Sequence, residues 1–318
     1  MTRRLPLTIL FAGLTGGAFF LTAQPDTIKK IADGVWFREG DIKKQGHCNN
    51  IIIEMKEYLI VIDANFPSGA QIVINEAKKL SSKPIKYVFD THHHGDHAYG
   101  NAVFTKIGAT TIAHAGVAAE MKAREPERWQ QAAKERKDVA DMKASTVEPP
   151  KQTFTTSPHV ITDGTRRVEF HHFGWAHTKG DGFAFLPKEG IICTGDAVVN
   201  GPYNYTADGN VGNWVNVVKG AQKLNPKTVL PAHGPHGGPE ILSGEALFMT
   251  ELMNTVKAAR ASGKKLSDVV KMEKGQPKST TLTLPASVKN WVGDFLPAQV
   301  YDTWMELENK KPRGDLKL

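Results

Sequence analysis

The segment Thr91-His92-His93-His94-Gly95-Asp96-His97 packs imidazoles and a carboxylate together directly behind an apolar run that ends at Phe89. Residues two apart in extended chain point the same way, so His92 and His94 share a side. Asp96 and His97 enter the next turn and can face a neighbouring point. Imidazole and carboxylate together suit zinc and related divalent metals. A surface histidine cluster is the bland reading, but the cluster is internal and ordered by its spacing. Three later pieces extend the set. His177 lies in Gly174-Trp175-Ala176-His177-Thr178, Asp196 in Cys193-Thr194-Gly195-Asp196, and His233 in Pro231-Ala232-His233-Gly234. Each follows an apolar run and precedes a loop, where a sheet can present it. Singly, each is an ordinary turn histidine or a helix cap. In this order behind the first cluster, they form a set.

Such donors need strands to carry them and loops to aim them. Alternation and turn residues predict a strand over 28–38 and a hairpin of 50–55 with 58–62, joined at Lys56-Glu57. A helix over 71–80 and short buried strands over 85–89 and 110–113 follow. Residues 115–144 are helix-rich and charged, with a break expected near Pro126. Residues 145–158 carry Pro149, Pro150 and Pro158 and predict a loop. Strands over 167–173, 182–185 and 191–194 precede a helix over 214–224 and a strand over 228–230. Helices over 240–261 and 286–308 end the chain. Two β-rich halves, each followed by helices, imply an α+β fold with helices outside two packed sheets.

The chain has 318 residues, 40% hydrophobic and 23% charged, which excludes a mainly disordered or collagen-like polymer. The formal charge of +7 is scattered, so nucleic acid is not the expected partner. Two cysteines exclude a disulfide scaffold or a Cys-based zinc knuckle. Cys48 and Cys193 could pair after export, although two separate buried thiols are the preferred expectation. Arg3-Arg4, an apolar stretch over 5–21 and Thr22-Ala23 have the order of a secretory signal peptide, 1–23. Pro6, Gly13, Gly16 and Gly17 weaken the alternative of an uncleaved anchor. No later run is apolar enough to span a bilayer. The expected layout is a leader, a catalytic domain over 24–240 with a helical insert and loop at 115–158, and a helical extension over 241–318. The expected location is periplasmic or secreted, without membrane contact after cleavage.

The His-x-His-x-Asp-His element, the lone His, the Gly-Asp and the final His-Gly resemble the metallo-β-lactamase superfamily, in order, over about residues 28–237. The resemblance implies a four-layer αββα sandwich with a binuclear metal site at one edge. It implies that His92, His94 and His177 hold one metal and that Asp96, His97 and His233 hold the other. Asp196 would bridge them, and His93 would be a spacer. Asp63, in Val61-Ile62-Asp63-Ala64-Asn65, matches the family's aspartate at the end of an early strand, where it would orient a ligand loop.

Two divalent ions so held stay net positive and lower the pKa of a shared water toward ~7. The hydroxide would attack a carbonyl, with Asp96 orienting it and relaying its proton. Tyr203 and Asn204, in Gly201-Pro202-Tyr203-Asn204-Tyr205, are candidates for a second oxyanion donor; a Gly-Pro turn with packed aromatics is the equal alternative. Trp129 is a candidate cover over the site or a core residue, and His236 is expected in a surface loop.

Asp196 departs from the β-lactamases proper and resembles the glyoxalase II, lactonase and phosphodiesterase-like branches. The expected activity is that of a hydrolase with two Zn2+ per chain, iron or manganese being alternatives. It would act on a small molecule with a lactone, ester, thioester or lactam carbonyl. A β-lactamase proper, a mononuclear iron persulfide dioxygenase and a non-catalytic metal-stabilised binding protein are the other readings. Oligomeric state is open.

Overall fold

The computed structural model describes residues 27–316, and the leader expected over 1–23 lies outside the described residues. Five apolar-rich strands lead the chain into its first sheet: β1 (Ile28–Ala32), β2 (Val35–Arg38), β3 (Asn50–Glu54), β4 (Leu59–Ile62) and β5 (Ile85–Asp90). With β6 (Thr110–His114) and β7 (Gln152–Phe154) they form a seven-stranded sheet in sequence order. The single strand expected over 28–38 is a hairpin, because the chain turns at Asp33-Gly34 with Gly34 at φ +66°. That left-handed conformation costs glycine little. β7 was not expected either; it pairs in parallel with β6 inside the proline-rich segment. The second sheet holds β8 (His159–Thr162), β9 (Arg167–His171), β10 (Phe183–Leu186), β11 (Ile191–Cys193) and β12 (Thr228–Leu230), in the order β12-β11-β10-β9-β8.

The period of two along each strand builds three apolar layers at once. Ile51 and Ile53 of β3, Ile60 and Ile62 of β4 and Phe89 of β5 face inward between the sheets. They meet Phe170, Ala184, Leu186, Ile191, Cys193 and Leu230 of the second sheet. The alternate residues, Ile52, Leu59, Val61 and Val88, face outward against helix α1 (Pro67–Leu80). Phe183, Phe185, Ile192 and Val229 likewise face out, against α6 (Val211–Gln222) and α7 (Glu240–Ala261). This is the four-layer αββα sandwich. Cys48 and Cys193 are separate buried thiols.

Between β5 and β6 run the short helices α2 (Gly95–Ala98) and α3 (Asn101–Thr105). After β6 come α4 (Ala115–Glu135) and α5 (Lys137–Ala140). The break expected near Pro126 does not occur; α4 passes through it. Proline removes one helical hydrogen bond, and here both flanks are anchored. Glu125 accepts from the Tyr99 hydroxyl at 2.6 Å, and the Trp129 indole donates to the Ala144 carbonyl at 3.0 Å. The C-terminal part is not wholly helical. After α8 (Leu266–Val269) it contains a hairpin of β13 (Val270–Glu273) and β14 (Gln276–Thr280). The helix expected over 286–308 divides into a 3-10 turn (Ala286–Trp291) and α9 (Leu296–Asn309). Val300 and Trp304 of α9 join the same apolar cluster as α6 and α7.

Phe89 stacks on Phe170 with ring centroids 4.2 Å apart, within the inter-sheet layer. Phe89→Ala is expected to lower the unfolding free energy by about 3–5 kcal/mol through lost burial and a residual cavity. Denaturant titration should show a lower midpoint at an unchanged slope.

Candidate metal centre

Strand direction brings the donors to one edge. β10 is antiparallel to both β9 and β11, and β11 is parallel to β12, so β9, β11 and β12 run the same way. The loops after them therefore open together, carrying His177, Asp196 and His233. The loop after β5, bearing residues 91–97, meets them from the facing sheet. Asp63 at the end of β4 ties that loop down. Its Oδ1 accepts the Thr91 backbone N–H at 2.8 Å, and its Oδ2 accepts from Thr91 Oγ1 at 3.1 Å and His97 Nδ1 at 3.0 Å. Asp63 sits at φ +65°, a conformation uncommon for a residue with a Cβ. Gly195, at φ +55°, lets Asp196 approach: a Cβ there would lie 2.7 Å from the Thr91 side chain.

Three imidazoles form a first group. His92 Nε2 lies 3.1 Å from His94 Nδ1, and His177 Nε2 lies 2.9 Å from the same atom. The opposite nitrogen of each ring has an acceptor. His92 Nδ1 meets Thr91 Oγ1 at 3.1 Å, His94 Nε2 meets Asp208 Oδ2 at 2.8 Å, and His177 Nδ1 meets the Tyr205 carbonyl at 2.9 Å. In a neutral imidazole one nitrogen donates and the other accepts. With the N–H groups directed outward, three lone pairs converge on one point. A tetrahedral zinc with Zn–N near 2.0–2.1 Å separates its nitrogens by about 3.3 Å, so the group has the size and chemistry of a cation site.

The second group contains Asp96, His97 and His233. Asp96 Oδ2 is 3.3 Å from His97 Nε2 and 3.2 Å from His233 Nε2. Asp196 stands between the groups. It is 3.5 Å from His97 Nε2 and 3.2 Å from His233 Nε2, and its Oδ2 is 3.8 Å from His177 Nε2 and 4.0 Å from His92 Nε2. His97 Nε2 and Asp196 Oδ1 are buried with no hydrogen-bond partner. Such buried polar atoms ordinarily have one, and a divalent cation would satisfy both. His93 faces Glu125 at 3.6 Å and Asp208 at 3.7 Å. It and His94 lie near Asp208, but Arg124 and Arg128 already occupy that carboxylate.

Charge is distributed unequally. Burial drives His92 well below the ordinary imidazole value and His94 down to about 4, despite Asp208. Burial pushes the Asp96 and Asp196 carboxyls upward, but His97 and His233 outweigh it and hold both well below the usual range. The two carboxylates in turn lift His97 well up and His233 to about 9, against the effect of burial. Protons thus gather at the second group and leave His92 and His94 neutral.

A cavity of about 530 Å³ opens over the donors, lined by His94, Asp96, Asp196 and His233 and walled by Tyr99, Tyr203, Tyr205 and Phe295. Tyr203 is thus on the cavity wall. Asn204 is not. It is buried, its Nδ2 donates to Glu245 Oε2 at 3.3 Å, and its backbone carbonyl accepts from Gln299 Nε2 at 2.7 Å. Alternation turns it inward and presents Tyr205 to the cavity instead. Trp129 is a core residue against Tyr99, not a cover. His236 stacks edge-on to Phe37, half-buried and outside the cavity wall.

Two aspartates were missed. Asp181 accepts the backbone N–H groups of Ala176, His177 and Thr178 at 2.7–3.0 Å and so shapes the His177 loop. Asp208 accepts from His94, Arg124 and Arg128. Both sit beside glycine in segments that look like plain turns.

A family model described as the metallo-β-lactamase superfamily matches residues 44–233, more than half of the chain. Solved structures share the fold. A metallo-β-lactamase from Pontibacter korlensis is 21% identical with a TM-score of 0.58, covering 70% of this chain and 98% of its own. The metallo-β-lactamase FIM-1 from Pseudomonas aeruginosa, in its mono-zinc form, is 22% identical with a TM-score of 0.56, covering 71% and 96%. One from Hirschia baltica is 21% identical with a TM-score of 0.55, covering 71% and 98%.

Glu245, which holds Asn204, is pushed up to about 8 by burial, despite the hydrogen bonds it accepts. The folded chain keeps a proton that an unfolded glutamate releases above about pH 4.3. Stability should therefore fall as pH rises from about 4.5 to 8, by up to about 1.4 kcal/mol per unit from this group. Glu245→Gln is expected to flatten that slope in urea titrations between pH 5 and 8. An equal slope in both proteins would contradict it.

Proposed function

The chain belongs to the metallo-β-lactamase superfamily of metal-dependent hydrolases, and we propose that it is an exported binuclear zinc enzyme opening the carbonyl of a lactone, ester, thioester or lactam. The observation that carries this reading is the placement of Asp196 between two donor groups, within 4.0 Å of nitrogens in each. His92, His94 and His177 would hold one ion, Asp96, His97 and His233 the other, and Asp196 both. Seven donors are too many for one catalytic zinc, which takes three protein ligands and a water. Two divalent ions held there would supply Lewis acidity and would lower the pKa of water toward neutrality.

The chain's own residues do the rest. Asp96 lines the cavity and can take the nucleophile's proton. Tyr203, with its ring 5.9 Å from that of His233, can donate to the developing oxyanion. Tyr99, Tyr205 and Phe295 give the cavity apolar walls that suit a small organic substrate. All seven donors fall in the catalytic domain proposed over 24–240. The 115–158 insert adds Glu125 and Arg128 to one wall, and the 241–318 extension adds Phe295. Export rests on the basic, apolar and small-residue order of 1–23. No helix among the described residues is long and apolar enough to cross a membrane.

Elemental analysis after metal saturation should give about two divalent ions per chain. Asp196→Ala is expected to lose the weaker-bound ion first and to lower kcat by about 100-fold or more, with the fold retained. Asp96→Asn should keep the first ion and lower kcat. In a panel of chromogenic lactones, esters, thioesters, phosphodiesters and lactams, kcat/KM should be higher for a lactone or ester than for any β-lactam. One iron per active chain, with Asp196→Ala at full rate, would replace this reading with the dioxygenase.

A further inference from the structure

Two of the three first-group imidazoles are aimed by one loop. The carbonyl of Tyr205 accepts His177 Nδ1 at 2.9 Å, and Asp208 accepts His94 Nε2 at 2.8 Å. A chain segment outside the family match braces that loop. The 3-10 turn Arg313–Asp315 lies along it. Gly314 N–H donates to the Gly209 carbonyl at 2.9 Å, and the Gly314 carbonyl accepts from Arg124 Nη2. Arg124 Nη1 at the same time donates to Asp208 Oδ1 at 2.9 Å. Contact between segment and loop is close: a Cβ on Gly314 would lie 2.4 Å from the Asp208 carbonyl oxygen and 2.8 Å from the Trp175 ring. That ring's N–H donates to the same carbonyl at 2.9 Å.

The other side of the segment is anchored to α9. Arg313 Nε donates to Asp302 Oδ1 at 2.5 Å, and Arg313 N–H donates to Glu306 Oε2 at 3.0 Å. Asp302 Oδ2 also accepts from Thr206 Oγ1 of the loop at 2.7 Å. Lys179, two residues beyond His177, pairs with Asp315 at 2.8 Å. Loop and segment are thus joined at both ends, with α9 as the rigid support.

We propose that residues 312–316 are a positioning segment for the first metal group, holding loop 205–209 so that His94 and His177 present Nδ1 and Nε2 to one point. The inference rests on the reading of His94 and His177 as ligands. The segment touches neither ring, and it acts through Asp208, Arg124 and the loop backbone. Partners that orient a ligating imidazole are typically worth 10–100-fold in metal affinity or activity. A brace one contact further out should have an effect at the lower end of that range. The second group should be insensitive, because Asp96, His97 and His233 are aimed by Asp63 and the loops after β5 and β12.

The test uses the full chain, a chain ending at Lys311, and Gly314→Val. Zinc affinity is measured in two steps by competition with a chromophoric chelator, and exchange of the His94 Nε2–H proton is followed by NMR in metal-free protein. Both variants are expected to bind the first ion about 10-fold more weakly and the second unchanged, and to exchange the His94 proton about 10-fold faster. Unchanged first-ion affinity and unchanged exchange would overturn the proposal. So would an equal loss at both ions with a collapsed thermal transition in both variants, which would make the segment a general stabiliser. Should the full chain bind no zinc at all, the function proposed above fails. The His94 exchange rate then still decides whether the segment holds the loop.

Discussion

Outward hydrogen bonds on the imidazoles fix where the lone pairs of the site must point. Thr91, Asp208 and the Tyr205 carbonyl each take a ring N–H, and Asp63 takes that of His97. What remains is a cluster of lone pairs and carboxylates packed within about 4 Å, which repel one another unless positive charge lies between them. In the second group, protons on His97 and His233 supply part of that charge. Burial opposes protonation of His92 and His94, so their lone pairs stay free for a cation. Much of the surrounding polar structure serves to keep these rings turned the right way.

The sandwich makes this affordable in conformational terms. Strands β5, β9, β11 and β12 are short, and the two or three residues of each that lead into its loop are buried, so the loops at their ends begin from fixed points. Phe89 and Phe170 lock the two sheets together one or two residues before the donor loops start. Loops alone could not hold a donor set to a few tenths of an ångström, whereas loops started from rigid strands and cross-tied by Asp63 and Asp181 can.

Helix α4 and the C-terminal part build the outer wall on top of that frame. Arg124 and Arg128 of α4 converge on Asp208, a buried carboxylate whose charge they and His94 stabilise against desolvation. The same helix provides Glu125 and Arg128 to the cavity, and Phe295, immediately before α9, adds to it. The region that surrounds the donors and the region that would contact a substrate side arm therefore come largely from parts of the chain outside the strands that carry the donors.

The spacing of His92, His94, Asp96 and His97, the later His177, Asp196 and His233, and the alternation along β3, β4, β10 and β11 were legible in the amino-acid sequence. They point to the layered α+β fold and to the histidines and aspartates that the structure gathers at one edge, because side-chain spacing and strand period are local properties. The continuity of α4 through Pro126, the hairpins β1–β2 and β13–β14, the inward turn of Asn204 and the roles of Asp181 and Asp208 were not. Pro126 has the same local chemistry in a broken helix as in a continuous one, and only the anchors to Tyr99, Ala144 and Asp208 decide between them. Asn204 and Tyr205 are neighbours of equal plausibility until Glu245, 41 residues away, accepts a hydrogen bond from one of them. Asp208 stands 114 positions from the imidazole that it orients. A sequence specifies which groups are available, but a hydrogen-bond acceptor for a buried ring is chosen by distance in space, and that distance exists only once the sheets have packed.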